Sequence, residues 1–177
     1  MNFKETVGGL LVPDHKLVVG GRFTGQLIRE GVVIEEIDDA NLVVNEGLNY
    51  LLNSSIAGQS PLTSWYIGLF SGNYTPTATV TGATIASAST EFTGYSESTR
   101  QPYSTATSTA QQMTNSASPA QFTMSAAGTI YGAFLVSQSA KGGNTGTLLA
   151  AAQFSSPKTV ASGDLLVLTY TVGATSS

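Results

Sequence analysis

Cysteine is absent from this chain of 177 residues, and histidine occurs once, as His15. Without thiols there is no disulfide framework, no thiolate zinc site and no cysteine nucleophile. A single imidazole excludes a metal site built on paired histidines. Charge is scarce as well: Asp, Glu, Lys and Arg make up 10% of the residues, against about a quarter in an average soluble domain. The balance is acidic, with a formal net charge of −4 and seven Lys and Arg, which leaves no basic footprint for nucleic acid. No apolar run approaches the ~20 residues of a membrane-spanning helix, so no membrane partner is expected. The opening residues, Met1-Asn2-Phe3-Lys4-Glu5-Thr6, lack the apolar stretch of a secretory signal. The chain is expected to be made and assembled in a cytoplasm, or carried elsewhere as part of something larger.

What remains is a chain that is polar through hydroxyls and amides, with 41% hydrophobic residues. A domain of ~150 residues buries roughly 68–70% of its unfolded surface, enough for a core without staples. Charge divides the sequence in two. Residues 1–46 hold most of it; residues 47–177 hold only Glu91, Glu97, Arg100, Lys141, Lys158 and Asp164. A free domain normally covers itself with charged side chains. This stretch uses Ser, Thr, Ala, Gly, Asn and Gln, which fits either a hydroxyl-rich β surface or a surface packed against other protein, since interface cores are depleted in charge.

Residues 1–21 read as an extended N-terminal arm, with Gly8-Gly9 and Gly20-Gly21 bracketing short apolar pieces; the other reading is a tail followed by the first strand of the domain. A β-sandwich domain is expected over 22–177. Residues 22–38 alternate as a hairpin turning at Gly31. Asn45 is placed to cap one short α-helix over about 45–56, with Glu46 in its first turn, Leu48, Leu51, Leu52 and Ile56 as an apolar stripe, and Gly58 closing it. Everything after the helix reads as β: Trp65–Phe70, a weakly extended Thr77–Ser89, Ala120–Met124, Thr129–Val136, Leu148–Phe154 and Leu165–Val172. Short strands at close spacing predict a mainly β, jelly-roll-like antiparallel β-sandwich.

Residues able to do chemistry are few and scattered. His15, the one possible general base for a serine triad, stands between Asp14 and Lys16 in the arm, and no Gly-x-Ser-x-Gly elbow is present. Glu35, Glu36, Asp38 and Asp39 form the one acid cluster, but strand alternation sends Glu35 and Asp39 one way and Glu36 and Asp38 the other. Glu91 and Glu97 could pair as glycosidase acids; an ion pair with Arg100 is the simpler expectation. Gly142-Gly143-Asn144-Thr145-Gly146 is a turn, not a phosphate cradle, because no Gly-Lys-Ser/Thr follows. Trp65 and Tyr66 could stack on a sugar if exposed, though a Trp in an apolar strand is usually core. No catalytic residue, metal or cofactor is expected, and the chain is read as a non-enzyme.

The order of phrases carries more. Asn41-Leu42-Val43-Val44-Asn45-Glu46-Gly47-Leu48-Asn49-Tyr50-Leu51-Leu52, Trp65-Tyr66-Ile67-Gly68-Leu69-Phe70, Gly128–Leu135, Leu148–Phe154 and Gly163–Tyr170 resemble virion structural proteins of tailed bacteriophages. They are most similar to capsid cement, or decoration, proteins. The resemblance spans roughly residues 30–172, with the Ser/Thr-rich middle unmatched. It implies a jelly-roll homotrimer that sits on the exterior of an icosahedral shell, with the major capsid protein as partner, assembled in the bacterial host cytoplasm. Similar phrases occur in tail, neck and fibre-associated proteins, and a carbohydrate-binding sandwich is a further alternative. The arm lies outside the resemblance. Its apolar residues Leu10, Leu11 and Val12, with Leu17, Val18 and Val19, are expected to contact another chain.

Overall fold

Period-two alternation of apolar and polar residues sets most of the backbone. The computed structural model describes residues 3–5, 11–13, 17–108 and 110–176. In chain order the elements are β1 (Phe3–Glu5), β2 (Leu11–Pro13), β3 (Leu17–Arg29), β4 (Val32–Ala40), β5 (Leu42–Val43), α1 (Asn45–Ser55), β6 (Tyr66–Phe70) and α2 (Ile85–Ala88). They continue with β7 (Glu91–Phe92), β8 (Gln101–Pro102), β9 (Gln112–Thr114), β10 (Ala120–Thr123), β11 (Gly128–Val136), β12 (Leu148–Val160) and β13 (Leu165–Ser176).

Two antiparallel sheets make the sandwich, so the expected mainly β class is the observed one. The first sheet runs β10-β13-β3-β4, with β9 pairing the far end of β13. The second runs β5-β12-β11-β6-β7, with β8 pairing the start of β6. Among the described residues β1 and β2 pair only with each other, as a two-stranded ribbon.

The longest ladder joins β3 to β13, from Leu17↔Ser176 to Leu165↔Ile28. Residues Leu17–Gly21, placed in the arm by the sequence, are thus strand, and the sandwich begins at Leu17 instead of residue 22. Alternation carries through the Gly20-Gly21 pair: Leu17, Val19, Gly21 and Phe23 share one face, so the glycines interrupt the side chains and not the backbone pairing. The β3–β4 hairpin turns at Glu30 and Gly31, both at positive φ, as a tight hairpin requires.

Between the sheets lie Phe23, Leu27, Ile37, Ile67, Leu69, Phe122, Leu135, Leu166, Leu168 and Tyr170, all buried. The second sheet is covered on its other face too. Phe70, Phe134, Val136 and Leu148 pack there against Val80 and Ile85, which explains why Ile67–Phe70 and Ala133–Val136 read as continuous apolar runs instead of alternating ones. That cover corrects one expectation. Thr77–Ser89 is not extended: Thr84 Oγ1 accepts from the Thr81 N–H, Ile85 N–H donates to Thr81 O, and α2 follows with Ile85 fully buried. The tertiary contact of Ile85 overrides a weak local β preference.

β12 runs past the expected end at Phe154. Its pairing with β11 jumps from Gln153 opposite Gly132 to Lys158 opposite Ile130. The crimp between them holds Pro157, which has no N–H for a ladder.

Candidate interaction surface

Helix α1 decides the character of one end of the sandwich. Val44, not Asn45, is the residue before the first turn, and no side chain caps it. Glu46 anchors that turn instead: its Oε2 accepts the Gly82 and Leu148 N–H groups, each at 2.7 Å. Gly47 is the one residue of α1 that is buried. It rests on the Leu149 backbone, where an added Cβ would collide with the carbonyl. At the other end Ile56 N–H bonds Leu52 O, Gly58 takes a positive φ and Gln59 N–H bonds Asn53 O, a glycine-dependent helix stop.

Because the helix seats through Gly47, its apolar stripe is not turned inward. Leu51 packs partly against the main core, but Leu52 and Ile56 are 54% and 81% exposed. They form one wall of a groove of about 410 Å³. The opposite wall is the inner face of the first sheet where the second sheet no longer covers it: Leu17 and Val19 of β3, Val172–Ala174 of β13, and Met113 beside them on β9. None of the described lining residues is charged. Val19, Leu51 and Val172 also touch the main core, so the groove is that core's open mouth. Large exposed apolar side chains carry little meaning singly, but a contiguous set marks an interaction surface.

The expected contact residues separate on the strand. Leu17 and Val19 line the groove, whereas Val18 points to the other side, beside Gly20, Arg22 and Thr175. Leu11 and Val12 lie in β2, paired by backbone to Glu5 and Lys4. Leu10 falls outside the described residues, as do Asp14, His15 and Lys16. Sequence reasoning missed Leu52, Ile56 and Met113 as surface residues. The period of Leu52 and Ile56 matches a core-facing stripe, and the signal that could have found these two is Gly47, a residue with no side chain to pack unless the backbone itself makes the contact; Met113 reaches the groove from β9.

The other candidates are held apart. Glu35 reaches Lys158 at 3.2 Å, Asp39 accepts the Ser155 N–H at 2.8 Å, and Asp38 pairs with Arg22. Glu36 and Asp38 face the outer surface of the first sheet beside Thr24 and Gln26, as alternation required. Among the described residues no group of three or more His, Asp or Glu is placed to hold a metal. Glu91 and Arg100 form the expected ion pair, with Nε and Nη2 donating at 2.8 and 2.7 Å. Glu97 is elsewhere, accepting the Thr123 N–H.

Tyr95 is buried edge-on to Phe122, and burial raises its hydroxyl pKa. Tyr103 meets Tyr170 edge-on and donates to Met113 O; burial raises its pKa also. Trp65 meets Tyr50 edge-on and packs partly against the core. With Tyr66, Tyr103, Ser64 and Ser104 it borders a depression of about 360 Å³. On the other flank of α1, Asn45, Asn49 and Asn53 line a polar cleft of about 460 Å³. The helix therefore shows an amide row on one side and an aliphatic row on the other.

No protein-family model matches the chain, and no curated protein matches it.

Proposed function

We propose that the chain is a bacteriophage capsid cement protein, which binds the exterior of an icosahedral shell as an oligomer and bridges neighbouring copies of the major capsid protein. The observation that carries this reading is the uncharged apolar mouth of the sandwich, which a solitary domain would gain by closing. The charge-poor sequence beyond residue 46 and the resemblance of its phrases to those of virion structural proteins support it. The mechanism is adhesion. A standard interface buries ~1,200–2,000 Å², and once one protomer of an oligomer docks, the others bind intramolecularly. Packaged DNA pushes a shell outward, and clamps across capsomer seams oppose that push without any bond being made or broken.

The test is stoichiometry on purified particles. Copies in fixed proportion to the major shell protein, and particles that lose heat resistance when the gene is deleted, are expected. A handful of copies at a single vertex would move the chain to the tail or neck. Absence from particles would end the virion reading.

A further inference from the structure

We infer that the apolar mouth is closed by the N-terminal β1–β2 ribbon of a second copy of this chain. The inference rests on reading the chain as a self-associating structural protein, and it names the segment and its seat.

Three observations converge. Among the described residues the ribbon strands pair only with each other, and a two-stranded ribbon alone in water is at best marginally stable, so a packing surface stabilises it. Its returning strand and the residues before it, Val7 to Pro13, carry no charge, and neither do the described residues of the groove. Finally, the ribbon is tethered at the groove itself. Only residues 14–16 separate β2 from Leu17, which is already part of the wall, and four peptide units reach at most ~14 Å.

Direction selects the neighbour's groove. β3 holds its register with β13 as far as Leu17↔Ser176, so at Leu17 the strand is directed off the end of the sheet. A neighbour related by rotation presents its own mouth there. Reciprocal exchange round a closed ring then fills every groove with identical contacts, a low-cost route to an oligomer.

The absence of native cysteine makes the test clean. Two full-length variants, Leu11→Cys and Ile56→Cys, the second with a size tag, are co-expressed and exposed to a mild thiol oxidant. The expected product is a covalent heterodimer, several-fold more abundant than that from Leu11→Cys with Thr24→Cys on the outer sheet face. Met113→Cys serves as a second acceptor on the opposite wall. Equal yields at Thr24, a bond that forms only within single chains of the double variant Leu11→Cys/Ile56→Cys, or no bond at either wall while light scattering still shows an oligomer would each overturn the exchange and leave self-association standing. A monomer by light scattering would overturn self-association itself.

Discussion

Replacing Glu91 by Leu should be among the most damaging single changes in the chain. The Glu91 and Arg100 side chains are 2% and 0% exposed. The guanidinium gives two hydrogen bonds to Glu91 and one each to Gln138 O and Gly143 O, at 3.0 and 2.9 Å, and it lies over the Phe134 ring. Removing the carboxylate strands a cation that no accessible pH can neutralise. Breaking a buried pair in this way costs about 3–5 kcal/mol, a large part of the ~5–15 kcal/mol that holds a domain together. For a domain of this size each kcal/mol moves the melting temperature by about 2–4 °C, so a fall of roughly 6–20 °C is expected in calorimetry.

The partner change behaves differently. Arg100→Leu strands a carboxylate that still accepts the Gly142 N–H at 2.8 Å. The double variant should cost less than the two single changes added together, since no charge is left buried even though two carbonyls lose a donor. A Glu91→Leu loss below about 1 kcal/mol, or strict additivity in the double variant, would refute the reasoning.

Cross-strand pairs Gly132↔Phe70 and Phe134↔Gly68 bring the far edge of each ring into the space a Cβ on the opposing glycine would fill; Gly68→Ala should cost about 1–3 kcal/mol by overpacking, with Phe134→Leu in the same chain recovering part of it in urea titration. Leu52→Glu with Ile56→Glu should leave the melting temperature of the sandwich nearly unchanged, because both side chains face solvent, yet reduce oligomer mass in light scattering; unchanged mass would remove the groove from the interface. Asp164 is held below the usual carboxylate range, first by hydrogen bonds from Arg29 at 2.8 and 2.7 Å and also by the Ala161 N–H. A depressed carboxyl stabilises above its unfolded pKa of about 3.9 and loses that contribution as pH falls through the folded value. Urea midpoints should drop below about pH 4 in the natural chain and respond less in Asp164→Asn, which should be the weaker of the two at pH 7.

The strands were legible because alternation is a local signal. β10 shows it in full and β3, β4 and β13 over part of their length, and Leu48–Ile56 with Gly58 place the helix to within a residue. Three features were not legible. α2 depends on Ile85 meeting Phe134 and its neighbours across the sheet, a contact that no window of local sequence contains. The resumption of β12 beyond Pro157 depends on β11 opposite it. The outward stripe of α1 has the period of a buried face, and only the seat of Gly47 on Leu149 reverses its direction. The mouth of the sandwich was half visible. The sequence marks Leu17 and Val19 as contacts because they are apolar and near the start of the chain, but their wall partners arrive from β9, β13 and α1, brought there by tertiary structure.

The pairing of β3 with β13 also sets a clock on biosynthesis. At ~5–20 residues per second, β13 leaves the ribosome on the order of ten seconds after β3. Until then β3 has only β4 beside it, and Phe23, Leu27 and Ile37 face water on a hairpin. The nascent chain thus passes through an interval of sticky, unpaired edge, during which neighbouring polysomes can trap it in aggregates. Expression at low temperature or with holdase chaperones should raise soluble yield by shielding that interval, without altering the finished molecule.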